Sequence, residues 1–274
     1  MRIQRTGGSA RPTRAPPSVA VMMNSITLLN VRVDDVTMGE ALAQCDAWMQ
    51  EPRLHQLVTV NPEFIMTAQK NPAFAATLAA SDLNLPDGAN LVRAAEWQKT
   101  PVRERVAGTD FVWYFCSAAA ICGWKIFLLG GRAGVGQAAA ARLQARYPKL
   151  NIVGVYEGSP APPEESAITA RIRASDAEVL FVAYGAPAQD LWIRRNRAQL
   201  PQIRIAVGVG GAFDYIAQRV KRAPLWMQKS GLEWAFRLLM QPWRAKRQAA
   251  LAGFLWQLWR QKTPPKNSTL QTDG

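Results

Sequence analysis

The feature that most constrains this chain is an alternation. Seven short apolar runs, at 26–33, 56–60, 83–85, 125–129, 152–156, 179–183 and 203–209, are separated by longer stretches of helical character. Those stretches fall at 38–50 (after a capping Thr37), 63–70, 73–80, 89–98, 108–122, 137–147 and 164–174, with a loop and then a helix within 186–200. Strands that alternate with helices predict an α/β fold, a Rossmann-like parallel sheet with helices on both faces. In such a sheet the ligand lies beyond the carboxyl ends of the strands. Asn61, Asp87, Gly130, Gly131, Gly185, Gly210 and Gly211 each fall just after a predicted strand, so the pattern gathers polar and glycine residues on one rim.

Composition removes several kinds of chemistry. The 274 residues contain one histidine, His55, which excludes a histidine-rich metal site; no G-x-S-x-G elbow accompanies it, and it reads as an ordinary residue near a strand start. Cys45, Cys116 and Cys122 sit in apolar surroundings and read as reduced, buried thiols of a cytoplasmic protein. No apolar run approaches the roughly 18 residues of a membrane span, and the arginine-bearing stretch 1–23 lacks the apolar core of a secretory signal. It reads as a disordered basic leader, and 263–274 as a disordered tail.

The net charge of +13 is unevenly placed. Residues 24–214 hold equal numbers of acids and bases, whereas 215–262 hold ten Lys/Arg against Glu233 alone. With no basic stripe over the main body and no reading motif, nucleic acid is not expected as a partner. The basic segment also holds Trp226, Trp234, Trp243, Trp256 and Trp259. Leu232, Phe236, Leu239 and Trp243 follow helical spacing, as do Leu251, Phe254, Leu255, Leu258 and Trp259, with Pro242 interrupting between the two sets. Two amphipathic helices follow. Their stripes either dock on the protein's own core or lie on a membrane, and the density of Trp and basic residues favours the membrane surface.

The rim residues carry two readings each. GGRAGVG at 130–136 has the G-x-x-x-x-G spacing of a P-loop, but Gln137 and Ala138 stand where Lys and Ser/Thr are needed. What remains is a strand, a glycine turn and a helix, either a plain tight turn or a loop whose N–H groups approach a phosphate or sugar. The stretch 208–214, ending in Asp214, is a second such loop, and the pair favours a nucleotide-type ligand. Asp87, between Pro86 and Gly88, is either a general base held at a strand end or common turn chemistry.

Taken in order, TVNPEFIMTAQKNP (59–72), LNLPDGANLV (83–92), RVAGTD (105–110), FLLGGRAGVG (127–136), AYGAPAQDLWIRRN (183–196), VGVGGAFDYIAQRVKRAPLWMQKSGLEWAFRL (207–238) and QPWR (241–244) resemble the WecG/TagA/CpsF family of bacterial glycosyltransferases. The resemblance spans about residues 26–260 and implies a glycosyltransferase core at 24–215 followed by a helical, membrane-binding appendage at 216–262. It implies an inverting, metal-independent enzyme, without a cofactor, that moves an N-acetylmannosamine-type hexose from a UDP-sugar to a polyprenyl-diphosphate-linked saccharide. Such an enzyme would be cytoplasmic and peripheral on the inner face of the membrane, serving cell-surface polysaccharide synthesis.

By the same resemblance Asp87 is the base, and Thr59 and Asn61 are pocket residues beside the reacting sugar. Gln189 and the rim glycines face the donor, Asp214 lies by its uridine, Arg105 is a phosphate candidate, and Arg237, Arg244 and Arg247 meet the leaving group or the lipid diphosphate. Ala188 and Asp190 depart from the Lys and Glu that usually flank the family's glutamine. UDP-glucose or a UDP-uronate is an alternative donor, and a non-catalytic nucleotide-sugar-binding membrane adaptor is an alternative of another class. Self-association into a homo-oligomer is one way to hide the apolar face of the appendage.

Overall fold

A computed structural model describes residues 24–220, 223–224, 226–227, 230, 232–240 and 245–262, excepting the side chains of 233, 234, 237, 245–249 and 262. The segments 1–23 and 263–274, read as leader and tail, lie outside the described residues.

The first apolar run is two strands, not one. β1 (Ser25–Leu28) and β2 (Val31–Asp34) form an antiparallel hairpin that turns at Leu29 and Asn30, with φ of 47° and 62°. A mirror-type turn of this kind matches the twist of the strands but is usually signalled by glycine, which the sequence here lacks. The hairpin covers an edge of the main sheet: Asp34 Oδ2 accepts the Asn84 N–H at 2.7 Å.

The remaining strands are β3 (His55–Val60), β4 (Leu83–Pro86), β5 (Lys125–Gly130), β6 (Asn151–Tyr156), β7 (Val179–Ala183) and β8 (Ile205–Gly208). They form one six-stranded sheet in the order β4-β3-β8-β7-β5-β6, and every pairing is parallel. The expected α/β architecture is therefore present. The helices of the body are α1 (Met38–Trp48), α2 (Pro62–Ala68), α3 (Pro72–Ala80), α4 (Ala89–Trp97), α5 (Gly108–Cys122), α6 (Val135–Arg146), α7 (Pro162–Ala174), α8 (Ala188–Asn196) and α9 (Ala212–Ile216). α1 begins at the expected cap, with Thr37 and Glu40 bonded reciprocally. The five-residue α9 carries too little periodicity to have been visible in the sequence.

Side chains alternate across the sheet and divide the core. Leu57, Leu83, Leu85, Ile126, Leu128, Phe181 and Val207 pack beneath α1, α5, α6 and α9, while Val58, Val60, Phe127, Leu129, Leu180, Val182 and Ala206 face α2, α3, α4, α7 and α8. His55 is buried at the amino end of β3, stacked on Trp48 with centroids 4.3 Å apart, with Glu51 and Asp82 beside its nitrogens. Cys45 and Cys116 are buried and Cys122 is half-buried, and none of the three is in a disulfide.

The carboxyl-terminal region forms α10 (Glu233–Met240) and α11 (Ala245–Lys262), two helices as the spacing predicts. α11 does dock on the protein itself. Phe254 and Leu258 are buried with Phe64 and Ile65 of α2, and Gln98 Nε2 donates to Leu258 O at 3.2 Å. Leu255, Trp256 and Trp259, of the same helix, are exposed. The stripe is thus divided between core and surface. No described helix is long and apolar enough to cross a membrane.

Candidate functional site

The sheet order creates a crevice. The connection after β8 runs to α9 on one face, while those after its neighbours β3 and β7 run to α2 and α8 on the other. Backbones that diverge in this way leave an opening at the carboxyl ends of the strands, where ligands of doubly wound sheets bind. All the predicted rim residues lie at this end of the sheet, because the strands are parallel.

On the β3–β4 side the register pairs Val60 with Pro86, and the Asp87 N–H continues the ladder to Val60 O at 2.8 Å. Asn61 and Asp87 are thereby neighbours, each one residue beyond a paired position. Asn61 caps α2: its Oδ1 accepts from the N–H groups of Glu63 at 2.9 Å and Phe64 at 3.2 Å. The cap fixes the side chain and uses its oxygen, so the amide nitrogen is the part that can serve a ligand. Asp87 Oδ2 accepts the Gly108 N–H at 3.3 Å, from the first residue of α5. Gly88 follows with φ of +96°, a turn open to glycine at little cost. Thr59 is buried between Gly108 and β8, its Oγ1 3.4 Å from Gly208 O. Arg105 precedes Val106, whose N–H donates to Pro86 O; the partly buried Arg105 guanidinium lies 4.0 Å from Asp110.

On the β7–β8 side one buried side chain joins two loops. Gln189 Oε1 accepts the N–H of Gly185 at 3.0 Å and that of Gly210 at 2.9 Å. Gly208 is bare of necessity, since a methyl group there would lie 2.5 Å from Gln189 Nε2 and 2.4 Å from Asp190 Oδ1. Asp190 is fully buried, and neither carboxyl oxygen has a hydrogen-bond partner among the described residues. Burial pushes its carboxyl up to about 7, and the nearby Gln189 amide offsets this only in part. Sequence reasoning met Asp190 only as a departure from a family pattern; burial of the third residue of a helix has no local signal.

The first glycine loop is committed internally. The Gly131 N–H donates to Ala183 O at 3.2 Å, and the Gly134 N–H donates to Glu157 Oε1 at 2.7 Å. Gly130 has φ of +90° and passes 2.9 Å, measured from a methyl placed on it, from Ala183 C and the Tyr184 ring. Gly130 thus serves the close packing of β5 against β7. Asp214 lies in α9, where its Oδ1 is 3.2 Å from Arg132 Nη2, and Gly211 is the N-cap residue just before that helix. Of the appendage arginines, Arg244 and the side chains of Arg237 and Arg247 lie outside the described residues. Among the described residues no cluster of three or more His, Cys, Asp or Glu could hold a metal ion.

The crevice thus brings together Thr59, Asn61, Asp87 and Arg105 on one side, and Gly185, Gln189, Gly210, Gly211 and Asp214 on the other. A comparison with protein families matches residues 26–268 to the model described as the glycosyl transferase WecG/TagA/CpsF family.

Proposed function

The chain belongs to the WecG/TagA/CpsF family of glycosyl transferases, whose reaction is a glycosyl transfer in polysaccharide biosynthesis, and on that premise we propose its particular chemistry. A hexose, of the N-acetylmannosamine type, passes from a UDP-sugar to a polyprenyl-diphosphate-linked saccharide. The observation that carries this reading is the Asp87 carboxylate, oriented by the Gly108 N–H at the crevice with Asn61 on the adjoining strand end.

In this mechanism Asp87 accepts the proton of the acceptor hydroxyl as that oxygen attacks the anomeric carbon. The bond to UDP breaks on the opposite side, the electron pair leaves with the diphosphate, and the configuration inverts. Asn61 and Thr59 line the sugar's side of the crevice. Fixed cations, rather than a metal, balance the leaving group: Arg105, and the appendage residues Arg237, Arg244 and Arg247. The enzyme works from the cytoplasmic face of the membrane, with exposed Leu255, Trp256 and Trp259 at the lipid surface and the Arg260 guanidinium 4.6 Å from the Trp256 ring centroid.

Radiolabel transfer from a panel of UDP-sugars to a polyprenyl-diphosphate-GlcNAc analogue, with EDTA present, tests this. Transfer from one donor is expected, and Asp87→Asn is expected to lower it by about 10²–10⁴-fold, the usual worth of a general base. Undiminished transfer by Asp87→Asn would overturn the mechanism, and dependence on a divalent ion would overturn its metal independence. Preference for UDP-glucose or a UDP-uronate would reassign the donor.

A further inference from the structure

The proposed reaction requires a diphosphate to be held, yet the glycine loops have already spent several of their amides. The N–H groups of Gly131, Gly134 and Gly210 donate to Ala183 O, Glu157 Oε1 and Gln189 Oε1. At the start of α6 the protein's own carboxylate stands where an anion would otherwise bind. A cationic side chain is the better candidate at this part of the rim.

Arg132 stands in the loop between β5 and α6, with its side chain 71% exposed. Its Nη2 donates to Asp214 Oδ1 at 3.2 Å, which links the loop after β5 to α9 after β8. Because β7 lies between β5 and β8, the pair bridges across the end of the intervening strand. The two segments also pack together, for a methyl on Gly131 would lie 3.6 Å from the Phe213 ring.

We propose that Arg132 takes the diphosphate of the nucleotide-sugar donor, and that Asp214 is the carboxylate it releases to do so. This rests on the UDP-sugar reading above. An ion pair this exposed contributes little, since water screens it, so an incoming anion displaces the carboxylate readily. The guanidinium then gains two parallel charge-assisted bonds to phosphate oxygens. Until then Asp214 holds the side chain over the rim, which reduces the freedom lost on binding. The acceptor's lipid diphosphate offers the same chemistry, but position favours the donor. Arg132 adjoins α6 and α9 on one face of the sheet, whereas α11 docks on α2 on the other.

Calorimetric titration of the full chain with UDP, uridine, inorganic pyrophosphate and geranyl diphosphate tests the exchange. Arg132→Ala is expected to weaken UDP binding by about tenfold or more and to leave uridine unchanged, which also shows that the variant is folded. Arg132→Lys should recover part of the loss, because a point charge replaces the fork. Asp214→Asn should bind pyrophosphate more tightly than the wild type, since the competing carboxylate is gone. Equal UDP affinity in wild type and Arg132→Ala, a parallel loss of uridine binding, or a loss confined to geranyl diphosphate would overturn the exchange and leave the donor reading standing. A wild-type chain that binds no UDP would overturn both.

Discussion

Gln189 and Asp190 are consecutive residues with opposite fates. The amide oxygen of Gln189 satisfies two backbone donors, while the Asp190 carboxyl is enclosed without a partner among the described residues. Buried polar groups are costly unless bonded, so the pair places a well-satisfied clamp beside a strained neighbour. The Asp190 carboxyl, pushed by burial to about 7 from 3.8, binds a proton in the folded protein that the unfolded chain releases. Stability therefore falls as pH rises from about 4 to about 7, and the loss is complete above that range. Asp190→Asn removes this titration. Its melting temperature should change less between pH 5 and pH 8 than that of the wild type, and parallel profiles in thermal melts would refute the assignment. The sequence motif located Gln189 but not its use, because its partners Gly185 and Gly210 belong to different loops.

At the scale of elements, α11 shows how far periodicity carries. The spacing of Leu251, Phe254, Leu255, Leu258 and Trp259 identifies a helix and its apolar stripe, but the stripe has two neighbours. Phe254 and Leu258 enter the core beside α2, and a methyl on Gly253 would lie 3.3 Å from Met66 Cε, a close approach of the two helices. Leu255, Trp256 and Trp259 are left outside. Phe254→Ala is expected to destabilise the fold by about 3–5 kcal/mol, as removal of a fully buried aromatic does. Trp259→Ala should scarcely change denaturant unfolding but should weaken binding to vesicles rich in anionic lipid. Equal vesicle binding by the two proteins would remove Trp259 from the membrane contact. The hairpin β1–β2 makes the complementary point: its turn uses positive φ at Leu29 and Asn30, residues that read as the middle of one strand.

Across the whole molecule, the α/β body and α11 share a core, so the two parts are not energetically separable. A chain ending at residue 216 would keep the six-stranded sheet and Asp214 but lose Phe254 and Leu258 from their sites. It is expected to bind UDP, to transfer sugar poorly, and to be less stable by about 3–6 kcal/mol, the burial of two large apolar side chains. Melting like the full chain would refute the docking of α11, and full turnover would refute the role proposed for the appendage. The sequence by itself determined the alternation of elements, the parallel sheet and the rim positions of Asn61, Asp87 and the glycines, because periodicity and turn chemistry are local. Only the tertiary structure decided that β3 lies beside β8, that Asn61 and Gln189 spend their oxygens on backbone donors, that Asp190 is sealed from water, and that Arg132 meets Asp214. The long-range pairings, such as Thr59 with Gly208 and Arg132 with Asp214, join residues that sequence spacing does not relate. They come into being only when the sheet order closes the crevice.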